Sequence, residues 1–197
     1  PKLKGMISHV GEDLHITGLD QSRPWALGTL AHHAPVLVVT ATSREAEDLS
    51  AELTAMLGEK VAMFPAWETL PHERLSPRTD TVGRRMAVLR RLVGNAAAPA
   101  PSVVVAPVRA LLQPQVAGLG GITPVELRVG DSHDLSDLAA QLVAAAYSRV
   151  DMVERRGEFA VRGGIVDVFP PVLDHPVRID FFGDEIEEIR SFEVADQ

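Results

Sequence analysis

The hydrophobic pattern changes period near residue 122, and this change limits the folds open to the chain. Upstream, short continuous apolar runs alternate with helical patterns. Val36-Leu37-Val38-Val39, within 35–40, is uninterrupted and mostly β-branched, as a strand buried on both faces should be. Residues 14–19, 60–64 and 102–106 carry the same signature. Between them, Ser43 is a good N-cap, followed by Glu45, Glu47 and Asp48 in the first turns. Ala46, Leu49, Leu53, Met56 and Leu57 then recur at helical spacing up to Gly58. A second helix is expected over 79–93, with Val82, Met86, Leu89, Leu92 and Val93 on one face, and a short third one over 107–112. Alternating buried strands and helices imply a parallel α/β sheet. The stretch 113–123, with Pro114, Gly118, Gly120 and Gly121, has the composition of a linker. Beyond it, 125–129 alternates like an edge strand and 134–147 is helical. Period-two runs follow at 159–161, 165–169, 177–182 and 186–189, separated by turn residues such as Gly163-Gly164 and Gly183-Asp184. This second region, 122–197, is expected to be a small α+β domain with an antiparallel sheet, following a first domain over 1–121.

Charge divides the chain at the same place. Residues 1–121 carry 12 basic and 11 acidic side chains, whereas 122–197 carry 7 basic and 16 acidic. An acidic C-terminal part is a poor non-specific nucleic-acid surface, because counterion release needs clustered cations. The chain has no cysteine, which excludes disulfide frameworks, thiolate nucleophiles and iron–sulfur clusters and fits a reducing, cytoplasmic setting. No apolar run approaches the ~20 residues of a bilayer span, so no membrane association is expected.

A parallel sheet invites a search for a phosphate loop, G-x-x-x-x-G-K-S/T, whose glycines let backbone N–H groups cradle phosphates while the Lys reaches them. The best superposition sets His15 at the first Gly, Asp20 at the second, Gln21 at the Lys and Ser22 at the hydroxyl position. Three essential positions fail, and Asp20 would repel a polyphosphate. The resulting class is α/β with a degenerate, partial P-loop-like first domain, and no bound cofactor is expected. His32-His33 cannot share a helix face, and no H-E-x-x-H pair suggests a metal site. The carboxylates of Asp184-Glu185-Ile186-Glu187-Glu188 alternate like a solvated strand edge. No catalytic residue is assigned.

Two segments are more specific. One is Phe64-Pro65-Ala66-Trp67-Glu68-Thr69-Leu70-Pro71, followed by Ser76-Pro77, Asp80 and Arg84-Arg85. The other is Gly157-Glu158-Phe159-Ala160-Val161-Arg162-Gly163-Gly164-Ile165-Val166-Asp167-Val168-Phe169-Pro170, followed by Arg178-Ile179-Asp180-Phe181-Phe182-Gly183-Asp184-Glu185-Ile186-Glu187. Together they resemble the N-terminal, UvrB-like region of the bacterial transcription-repair coupling factor (Mfd) family. The second segment also resembles the second domain of UvrB. The broken phosphate loop and the single tyrosine, Tyr147, favour the coupling factor over UvrB, which resembles a working ATPase with a Tyr-rich hairpin.

The resemblance implies a non-catalytic recruitment module of transcription-coupled nucleotide excision repair that binds UvrA by mimicking UvrB. It implies that RNA polymerase and DNA are engaged through other regions of a longer protein, where an ATP-dependent translocase motor also lies. The first-domain sheet is then incomplete within these 197 residues. Carried over by matching positions, the UvrA contacts are Arg149, Arg162, Arg178 and Asp180. Ala160 and Gly164 depart from the UvrB pattern, which has an arginine and an acidic residue there. From the residues alone, Arg178 and Asp180 share one strand face, and Arg is the cation best suited to bidentate pairing. The alternative for these side chains is ordinary surface salt bridging. A competing function is a DNA-contacting basic element built from Arg74, Arg78, Arg84, Arg85, Arg90 and Arg91; a third is residual nucleotide binding. Trp67 is expected to pack its loop onto the sheet.

Overall fold

The apolar runs of the first region form a three-stranded parallel sheet in the order β1-β3-β2, with β1 at Val36–Thr40, β2 at Val61–Met63 and β3 at Val103–Pro107. The computed structural model describes residues 15–69 and 76–196. β3 is central, which explains its uninterrupted apolar sequence: Val103 and Val105 are fully buried. Helix α1 spans Arg23–Ala31 and α2 spans Ser43–Leu57. Ala46, Leu49 and Leu53 of α2 pack with Val38, Val61, Val103 and Val105 into one core. The N-cap of α2 is Thr42 rather than Ser43. Thr42 is extended, and its hydroxyl accepts the Glu45 N–H at 3.1 Å. Helix α3, Thr79–Leu92, contributes Val88 to a second cluster with Ala62, Phe64, Ala106 and Ala110. A short helix α4, Val108–Leu112, begins directly after Pro107.

The strand expected at 14–19 is not formed over 15–19, and Leu14 lies outside the described residues. Ile16 and Leu19 are exposed, so these apolar residues find no sheet to bury them. Leu19 instead caps a 3-10 turn, Asp20–Ser22, that runs into α1. Pro24 sits in the first turn of α1, where its missing N–H costs nothing.

The second region builds a five-stranded mixed sheet in the order β4-β5-β6-β7-β8: Ser148–Arg149, Glu158–Arg162, Ile165–Val168, Val177–Phe182 and Glu185–Ser191. The sheet is not purely antiparallel, because β4 runs parallel to β5. Helix α5, Leu135–Ala144, is capped by Asp134, whose carboxylate accepts from the N–H groups of Ser136 and Asp137. The helix stops before Tyr147, as Ala146 takes a positive φ of 67°. Leu138 and Leu142 of α5 bury one sheet face with Phe159, Val166, Val168, Ile179 and Ile186. The expected strand at 125–129 is also absent. Val125 and Leu127 alternate because they pack on this core, not because they pair. Gly130 to Ser132 bond the lower part of the β8 edge instead.

The chain divides into two compact units: the described parts of 1–73 with 85–121, and those of 74–84 with 122–197. Leu119–Gly121, within the stretch expected as a linker, forms a 3-10 turn with Gly120 buried. A Cβ at Gly120 would lie 2.8 Å from the Leu89 carbonyl oxygen, so only glycine allows that approach. Among the described residues, no helix is long and apolar enough to cross a membrane.

Candidate partner-binding face

One face of the five-stranded sheet is covered by α5. The opposite face carries an ordered row of charges, and the strand register places each of them. Asp167 of β6 lies across from Ala160 of β5 and Arg178 of β7, and Arg178 lies across from Arg190 of β8. One step along, Arg162 is paired with Ile165, and Ile165 with Asp180. Residues opposite one another share a face, so Arg162, Asp167, Arg178, Asp180 and Arg190 project together.

Two ion-pair groups result. Asp167, fully buried, accepts from Arg178 Nε at 2.7 Å and Nη2 at 2.8 Å, and from Arg162 Nη2 at 2.6 Å. Asp180 accepts from Arg190 Nη1 at 2.5 Å, and Arg190 also donates to Glu188. The Arg178 guanidinium rests 4.9 Å from the Phe192 ring centroid. Hydrogen bonding to Asp167 raises the Arg178 pKa, so its charge is secure.

Arg149 departs from this group. It pairs with Phe159, whose ring enters the α5-side core, so the register sets Arg149 toward the other face. Arg149 nevertheless lines one cleft with Asp151, Val161 and Arg162 at that sheet edge. Asp167, Arg190 and Phe192 were not singled out from sequence. A lone carboxylate in the apolar run Ile165-Val166-Asp167-Val168-Phe169 was the available signal.

Two of the four degenerate-loop residues, Asp20 and Gln21, border a crevice at the N-terminus of α2. Asp20, Glu45, Asp48 and Glu52 line it, with Gln21, Arg23 and Arg44. Arg23 Nη1 donates to Glu45 at 2.6 Å, and the Ala41 N–H donates to the same carboxylate. These bonds, the one from Arg23 foremost, hold the Glu45 carboxyl below its ordinary range. Ser22 turns its hydroxyl onto the Leu19 carbonyl. His15 is exposed and outside this crevice.

The basic residues of the competing function are largely engaged within the protein. Arg74 lies outside the described residues. Arg78 and Arg84 pair with Asp80. Arg91 donates to the carbonyls of Glu59, Val61 and Pro99. Arg90 is half-buried, with its Nε buried but not hydrogen-bonded among the described residues. Arg85 is a core residue: its guanidinium lies 4.1 Å from the Phe64 ring centroid and 4.2 Å from that of Trp67, and Nη1 donates to the Pro65 carbonyl. Burial pulls its pKa down to about 10, which leaves it charged at neutral pH. Trp67 is half-buried and stacks on Arg85, and its backbone is clasped by the Gln113 amide. Among the described residues no cluster of three His, Cys, Asp or Glu could hold a metal ion.

The mixed sheet with its charged face falls within a recognised class. Residues 125–197 match the family model described as the UvrB interaction domain. Over 189 residues the chain is 53% identical to the transcription-repair-coupling factor of Mycobacterium tuberculosis, covering 94% of the chain and 15% of that protein. It is 36% identical over 165 residues to the Haemophilus influenzae factor (82% and 14%) and 33% identical over 168 residues to that of Escherichia coli (84% and 14%). The chain thus spans about one seventh of the length of the curated relatives it matches. It belongs to the transcription-repair-coupling factor family and corresponds to the N-terminal, UvrB-like region.

Proposed function

We propose that this region recruits the excision-repair protein UvrA by presenting a UvrB-like surface, and performs no catalysis itself. The observation that carries the proposal is the match of 125–197 to the UvrB interaction domain, over a sheet whose second face, covered in part by Val150, Val153 and Val194 at Ala160, bears Arg162, Arg178 and Asp180. Arginines fixed by a neighbouring carboxylate suit an interface, because less side-chain freedom is lost on binding. In this proposal 122–197 forms the binding domain, and contacts with RNA polymerase, DNA and an ATP-driven motor belong to other parts of the longer protein. Arg149 contributes from the sheet edge rather than from the centre of the face. The test is a pull-down of purified UvrA by this chain. Retention of UvrA is the expected result, and its absence at micromolar concentrations contradicts the proposal.

The first unit fits a remnant of a nucleotide-binding domain. It keeps a parallel sheet, yet four carboxylates line the crevice beside the degenerate loop. They would repel a polyphosphate, and the Ala41 and Glu45 N–H groups at the helix entrance already bond to the Glu45 and Thr42 side chains. Millimolar ATP with magnesium is therefore expected to leave the melting temperature unchanged, since only a ligand that binds the native state raises it. A reproducible upward shift would contradict this.

A further inference from the structure

We infer that Asp167 is the positioning residue of the binding face, holding Arg162 and Arg178 so that their remaining N–H groups meet a carboxylate-bearing surface of the partner. The inference rests on the UvrA-binding proposal above and adds a residue that the resemblance did not supply.

Asp167 sits in the middle of β6 between buried Val166 and Val168, and is itself fully buried. An isolated carboxylate there would be costly, and apolar residues of similar volume would pack as well. Its use of both oxygens is therefore informative. Arg178, directly opposite, closes a two-bond fork on Oδ1 and Oδ2. Arg162, on the diagonal, reaches Oδ2. The residue directly opposite on β5 is Ala160, small enough to leave the space over Asp167 to Arg162. Burial works against ionisation of Asp167, yet the hydrogen bonds from Arg178 and Arg162 keep its carboxyl below the ordinary range.

The neighbouring pair explains why such a clamp is needed. Arg178 and Arg190 lie directly opposite each other, and like charges in that position repel. Asp167 draws Arg178 one way, while Asp180 and Glu188 draw Arg190 the other. Asp167 is thus shared by two arginines, Arg162 and Arg178, whereas Asp180 and Glu188 share the single Arg190. The first group therefore keeps an excess of positive charge and the second an excess of negative charge. Among the described residues, Nε and Nη1 of Arg162 and Nη1 of Arg178 make no hydrogen bond. The Arg162 side chain keeps 42% of its surface exposed. The free donors of Arg162 form the part of the clamp that faces outward, toward an acidic patch, while the less exposed Arg178 holds Asp167 in place behind it.

The experiment is a UvrA titration against wild type, Asp167→Asn, Arg162→Gln and the double variant, with circular dichroism melts showing each folded at the titration temperature. Asp167→Asn is expected to weaken binding ~10–100-fold, and the double variant to bind at least ~5-fold better than the product of the single losses predicts. A purely structural role would give independent, multiplying losses, and that result overturns the inference. Arg178→Lys is the second measurement, independent of whether Asp167→Asn folds. It keeps the charge but not the fork, so a ~10-fold loss is expected, and wild-type affinity would overturn the inference. No binding by wild type would instead overturn the UvrA proposal, and the role of Asp167 with it.

Discussion

Asp167→Ala is expected to lower the unfolding free energy by about 3–5 kcal/mol, the cost of breaking a buried ion pair while one partner stays largely buried. The Arg178 side chain is only 18% exposed, so the charge left behind cannot hydrate freely. It would also face Arg190 across the strand without its counterion. Asp174→Ala is the natural comparison. Asp174 pairs with Arg156 but is 93% exposed, and such pairs contribute about 0–1 kcal/mol. Urea unfolding of both variants checks the contrast, and equal costs would contradict it. The pH dependence has a fixed sign. The folded-state carboxyl of Asp167 lies below its ordinary value of 3.8, so its stabilisation is present above that value. It is lost as pH falls through the lower, folded-state value. The stability difference between wild type and Asp167→Asn should therefore hold from neutral pH to about pH 4 and shrink below it.

Arg162→Glu should weaken UvrA binding by about 2–5 kcal/mol if the contact is desolvated, because it removes a pair and adds repulsion. The substitution also sets a carboxylate beside Asp167, now 2.6 Å from the Arg162 guanidinium. Arg162→Gln separates the two effects: it removes the charge without adding one. Arg44→Glu is the control. Arg44 is 91% exposed in the first unit and only loosely paired with Asp48. Isothermal titration should show near-wild-type affinity for that variant. Equal affinity of wild type and Arg162→Glu would remove Arg162 from the interface, and a larger loss from Arg44→Glu would move the interface to the first unit.

The strands that read clearly were those whose burial repeats along several residues. β1 and β3 carry continuous β-branched runs, and β7 and β8 alternate because only one of their faces meets α5. The 23–31 helix was hidden by Pro24 and by an apolar pattern without a distinct face. β4 is too short at two residues to show any period. At the start of α2, Ser43 reads as the cap on paper, but the extended backbone belongs to Thr42, whose hydroxyl takes the Glu45 N–H. Charge type misleads wherever tertiary packing overrides it. Arg85 looks like a surface cation in sequence, but the rings of Phe64 and Trp67 enclose it. Arg162, Arg178 and Asp180 came from the resemblance, and period two alone put the last two on one face. The role of Asp167 is not legible in the sequence, because a carboxylate within an apolar strand gains meaning only once the register sets Arg178 opposite it.

Competition between this chain and UvrB for UvrA bears most directly on the proposed mimicry. Labelled UvrB is held on UvrA while the chain is titrated in, with Arg162→Glu run alongside. One shared surface predicts that UvrB is displaced completely, with a midpoint that rises in proportion to the UvrB concentration, and that Arg162→Glu displaces it far less well. A stable complex containing UvrA, UvrB and this chain together, or full retention of UvrB at saturating chain, would contradict the account.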